Sequence, residues 1–183
     1  MSYAYTIKLD QISGEVEQAG AWQSNLMNIL PTEEMGEIFR EKLIASGWDQ
    51  DGDLVYTEID GIRCELSSNG TEIRATLHQE VYVEQDVVGD SDDSPSLKEA
   101  RINEGKRLQV EKLEKYKEEE IRKLTQRLLS IENKVKQQID LASHQAHAQA
   151  LEIKAARLGQ IKSSRTQVSE DGTLEVTIHV NLN

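Results

Sequence analysis

Apolar and polar side chains alternate along this chain with two different periods, and the switch between them marks its organisation. Tyr3, Tyr5, Ile7 and Leu9 alternate with Ala4, Thr6, Lys8 and Asp10. Period two with aromatic and β-branched residues predicts a strand with one buried face. From Ser13 to Leu30 the pattern loosens, and Leu26, Met27, Ile29 and Leu30 fit a short helix packing Trp22 against its neighbours. Pro31-Thr32-Glu33-Glu34 opens a firmer helix, with Thr32 placed to cap it and two acids where the helix dipole favours them. Met35, Ile38, Phe39 and Leu43 mark its buried face, and Gly47 closes it.

A meander follows. Val55, Thr57 and Ile59 alternate up to Asp60-Gly61, and Ile62, Cys64 and Leu66 alternate up to Asn69-Gly70. Both dipeptides are two-residue hairpin signals. Ile73, Ala75, Leu77, Val81 and Val83 then lie on one face of a longer strand. The first 94 residues therefore read as a β-α-β-β-β head in an α+β protein, with the sheet covered on one side by the helix. Glu84 to Ser94, rich in aspartate, reads as a linker.

From Pro95 the period changes. Ser94-Pro95 is an N-cap followed by proline at the first helical position. Only Gly105 interrupts the helix formers before Gly159. Unbroken, 64 residues make a rod of about 96 Å. Ile121, Leu124, Leu128, Ile131 and Val135 step by three and four, as in a coiled-coil seam. The steps continue through Ile139, Ala142, Ala146, Ala150 and Ile153, and Leu113 matches Leu124, Val135 and Ala146 at eleven-residue spacing. An eleven-residue repeat implies a nearly straight or slightly right-handed pairing. The expected helix-pairing surface is thus Leu113, Ile121, Leu124, Leu128, Ile131, Val135, Ile139, Ala142, Ala146 and Ile153, on the ground that a rod this long exceeds what its own head can cover.

Residues 161–183 form a third region. Leu174, Val176, Ile178, Val180 and Leu182 alternate with polar residues after an Asp171-Gly172 turn, and Arg165 to Val168 offers a hairpin partner. So amphipathic a strand needs a sheet, since a lone two-stranded ribbon is marginal. A straight helix would carry it roughly 90 Å from its own head. Either two chains pair antiparallel and each strand completes the other's sheet, or the helix folds back near Ser130 to Asn133.

Charge sharpens this division into 1–94, 95–160 and 161–183. Met1–Ser94 holds 5 basic and 20 acidic residues, while Pro95–Asn183 holds 16 and 13. An acidic head repels phosphate backbones, which argues against nucleic acid as a partner. The single cysteine, the lack of a membrane-length apolar run and the N-terminus MSYAYTIKLD point to the cytoplasm, with no direct membrane insertion.

Candidate chemistry is sparse. Asp49-Gln50-Asp51-Gly52-Asp53 begins like a calcium loop, but the sixth residue is Leu54 and the twelfth is Asp60. A tight acidic turn is the plainer reading. His144 and His147 could face one metal, yet no further ligand stands one turn away, so they read as polar seam positions. His78 and His179 fall on outward strand faces, and Cys64 reads as a small buried hydrophobe. No phosphate loop, H-E-x-x-H or C-x-x-C occurs. The sequence thus predicts no catalytic, cofactor or metal site. It predicts a non-enzymatic assembly or adaptor protein, a homodimer or larger, that self-associates through its helix and docks a protein partner on its acidic head. The alternative is an accessory subunit of a larger machine, such as an ATPase or membrane-associated complex, supplying one helix to a partner's coiled coil. A third is a hydrolase or metal-dependent enzyme using the two helix histidines or the acidic loop.

Overall fold

The computed structural model describes residues 4–169 and 173–181. The chain is α+β, with a five-stranded sheet, one long helix and a C-terminal strand pair. Strand β1 (Ala4–Lys8) is followed by β2 (Ile12–Gln23), helix α1 (Thr32–Ala45), β3 (Asp49–Asp51), β4 (Leu54–Ile59) and β5 (Ile62–Leu66). Then come β6 (Glu72–Val83), β7 (Asp86–Asp90), helix α2 (Pro95–Leu158), β8 (Gln160–Val168) and β9 (Leu174–Asn181). The large sheet has the order β2-β6-β5-β4-β3, while β1 pairs antiparallel with β7, and β8 with β9.

Contacts group the chain into two compact units, neither of them continuous. One comprises 1–18 with 77–127, the other 19–76 with 128–183. They cut across the expected regions 1–94, 95–160 and 161–183, because β2, β6 and α2 each contribute residues to both.

In the first unit, Val16, Val81 and Val83 from β2 and β6 pack with Leu113 and Leu124 of α2, flanked by Ile12 and Leu77. Buried Gln109 ties the same elements together: its Nε2 donates to the Asp10 carbonyl at 2.8 Å and to the Val83 carbonyl at 3.1 Å. Helix α2 starts as its sequence indicates. The Leu97 N–H donates to Ser94 Oγ at 3.3 Å, with Pro95 at the first helical position. Gly105 is a packing position rather than a break. A Cβ there would stand 2.3 Å from Val87 Cγ2, so glycine lets the helix approach β7.

In the second unit, α1 buries Met35, Ile38, Phe39 and Leu43. Its C-terminus is a Schellman motif: the Gly47 N–H reaches the Ile44 carbonyl, the Trp48 N–H reaches that of Leu43, and Gly47 has φ +100°. Asp60 and Gly61 both have positive φ, as a two-residue type I′ hairpin requires. Asn69 and Gly70, expected to form a second such turn, instead sit within the longer connection from β5 to β6.

Four local expectations are corrected. Ser13 to Gln23 belongs to a strand, and Leu26 to Leu30 forms no helix. Asp86–Asp90 is a strand rather than a linker, because Val87 is buried in pairing with β1. Thr32 is the first helical residue, and the N-cap is Pro31, without a side-chain bond. Helix α2 runs unbroken through Ser130 to Asn133, so the fold-back near those residues does not occur. The Asp171-Gly172 turn and Leu182 lie outside the described residues.

Candidate interaction surfaces

The apolar stripe of α2 is closed over within the single chain. Leu113 and Leu124 lie in the first unit's core, and in the second unit Leu128, Ile131, Val135, Ile139, Ala142 and Ala146 are all buried, Ile131, Val135, Ala142 and Ala146 fully so. Neighbouring polar contacts fix that stretch of the helix against the head. Trp48 Nε1 donates to Gln138 Oε1 at 2.8 Å, Lys134 pairs with Asp60 at 2.7 Å, and Arg157 pairs with Glu34 at 2.6 Å. The cover for these positions is supplied within the single chain. Side chains covered in this way present no surface to a second helix. Of the expected seam, Ile121 is exposed and Ile153 half-buried.

The last strand does not join the large sheet. Val176, Ile178 and Val180 of β9 sit in a two-stranded ribbon with β8 and are only half-buried, as is Ile161 opposite Val180. Strand β8 carries Lys162 and Arg165 and no acid. Arg165 meets only the neutral Gln167 side chain, at 3.3 Å, and Lys162 has no ion-pair partner among the described residues.

Within the first unit, a depression of about 530 Å³ lies between β6 and α2, lined by Gln79 to Tyr82, Tyr116, Glu119, Glu120 and Lys123. Tyr82 and Tyr116 are 51% and 45% exposed. The Tyr82 hydroxyl donates to the Glu80 carboxylate, which raises the phenol's pKa chiefly through that bond. Strand β5 pairs with β6 at Leu66↔Ile73 and Glu65↔Arg74 and begins at Ile62, so that register carries it no further than Leu77. Past Leu77 the edge of β6 opposite β2 has no strand beside it among the described residues. The Glu80 carbonyl accepts from Gln79 Nε2 at 3.0 Å instead. Nothing in the sequence flags this groove, because it depends on β5 being shorter than β6.

The residues weighed for chemistry stand apart from one another in the fold, except for His144 and His147. Burial pushes the Cys64 thiol up to about 11. His147 is buried and its Nε2 accepts the Met27 N–H at 2.9 Å, while burial, then the nearby His144, lowers its pKa. His78 lies near Glu15 and Glu17, and His179 belongs to the separate β8–β9 ribbon. Asp49–Asp51 is a short strand pairing with β4. Among the described residues, no three His, Cys, Asp or Glu side chains converge as a metal site would need. No helix among them is long and apolar enough to cross a membrane.

A family model described as FtsH ternary system domain X5 matches residues 1–182. The chain belongs to the FtsH ternary system domain X5 family. No curated protein and no solved structure matches it. The family match spans both compact units and the C-terminal ribbon, so the X5 domain is the whole arrangement described above rather than the head alone.

Proposed function

We propose that this X5 domain is a non-enzymatic accessory component of an FtsH-containing system, working by docking other proteins of that system. The family match along nearly the full chain carries this reading, since its description names a system and not a reaction. The acidic head and the tyrosine-lined open strand edge support it as surfaces for protein contact. The long helix acts differently from the adaptor rod its sequence suggests. It serves as the spine against which the chain's own strands are laid, and contact with partners falls to the strands.

The test is co-purification of the tagged full-length chain from cells that also produce FtsH and the rest of the system. FtsH or another system protein retained in defined proportion supports the reading. Recovery of the chain free of all of them, at concentrations well above those in the cell, overturns it. A self-assembling scaffold is a second reading, favoured by the half-covered ribbon.

A further inference from the structure

We infer that the open edge of β6 between His78 and Val83 receives strand β8 from a second copy of the chain, joining one copy's ribbon to the other's sheet. Each half of this contact is incomplete alone. Among the described residues, β6 beyond Leu77 has a neighbour on one side only, and unpaired edges readily take up another chain's strand. The β8–β9 ribbon leaves Ile161, Val176, Ile178 and Val180 half-exposed, and two strands alone are marginal in water.

Charge selects the occupant. The groove beside the open edge holds Glu80, Glu119 and Glu120 against one lysine, Lys123, which already pairs with Glu120. Strand β8 brings Lys162 and Arg165 with no acid of its own. Exposed Tyr82 and Tyr116 supply ring faces for a guanidinium or ammonium, a pairing the chain already uses where Arg63 stacks over Tyr56 at 4.0 Å. Length also agrees, since β8 has nine residues and the open stretch of β6 six. Because one chain carries both surfaces, two copies can satisfy both at once in a closed two-fold dimer.

A charge exchange on the full-length chain tests this. The wild type should scatter light as twice its 20.7 kDa mass. Glu80→Lys with Glu119→Lys should give monomer, and so should Lys162→Glu with Arg165→Glu. Mixing the two variants should restore the dimer, because both reversed and native pairs then match. A wild type that stays monomeric at all concentrations overturns the inference, as does a dimer indifferent to both variants. Should either variant misfold, hydrogen exchange on the wild type decides. Amides of His78–Val83 and Gln160–Val168 should both lose protection on dilution. Unchanged protection overturns the inference, and protection of β6 gained only on adding a foreign system protein assigns the edge to that protein instead.

Discussion

Strand β5 carries Ile62, Cys64 and Leu66 on one face, and strand β9 carries Val176, Ile178 and Val180 in the same alternation. The first three are buried, at 2%, 0% and 7% exposure, and the second three are only half-covered. Alternation reports that a strand has an apolar face. It does not report whether the chain supplies anything to cover that face. For β5 the cover is built into the fold, since it lies between β4 and β6 in the large sheet and its apolar face is buried. Among the described residues β9 has one partner strand, β8, and Val176, Ile178 and Val180 are left half-exposed.

The contrast can be broken most forcefully from the covered side. Ile62→Ala is expected to lower stability by about 2–5 kcal/mol through lost burial and a residual cavity, read from urea unfolding. Ile178→Ala in β9 should shift the same curve by less than about 1 kcal/mol. Equal losses would mean the ribbon is as well covered as the sheet.

Helix α2 extends the comparison inward. Ala146 is fully buried where the helix runs close to the head. Ala146→Leu should destabilise by about 1–3 kcal/mol from overpacking, whereas the same change at exposed Ala156 should be near neutral. A thermal melt separates the two.

A smaller effect should appear with pH. Because the folded-state pKa of His147 is lowered, the unfolded chain holds the extra proton as pH falls below 6.5. The stability this histidine contributes is therefore complete above pH 6.5 and declines as pH drops from there towards the folded value. Protonation also removes the acceptor of the Met27 N–H. His147→Gln should flatten that limb of the stability–pH curve, and an unchanged limb would move the cause to another group.

The smallest effect is expected from removing β9. Deleting Thr173 to Asn183 should leave the unfolding free energy of the five-stranded sheet within about 0.5 kcal/mol of the full chain, since that sheet contains no residue of β9. A larger loss would show that the ribbon supports the sheet after all.

How far the fold was legible follows from these same residues. The hairpin at Asp60-Gly61, the cap at Ser94-Pro95 and the stop at Gly47 are local chemistry, and each stands where its residues indicate. Strand β2 was obscured because Gly14 and Gly20 interrupt its alternation. Those glycines sit where a Cβ would meet the Lys117 side chain and the Trp22 ring, facts that only packing reveals. Strand β7 was hidden by Asp86 and Asp90 at its ends. The periodic stripe on α2 marked most of the side chains that are buried, Ile121 excepted, and was read as a seam for a second helix, whereas the single chain buries them. The open edge of β6 had no sequence signal, because an edge is a relation between strand lengths.

The ties between α2 and the head also govern the order in which the molecule can be made. Gln109 holds Asp10 and His147 holds Met27, across separations of 99 and 120 residues. At translation rates of about 5–20 residues per second, the 64 residues of α2 take roughly 3–13 s to appear after the head. During that interval the faces of β2 and β6 that will meet the helix are bare. A nascent X5 domain is thus obliged to fold late, after its spine has left the ribosome. A chain ending at Ser94 would be fixed in that sticky interval, a natural client for chaperones.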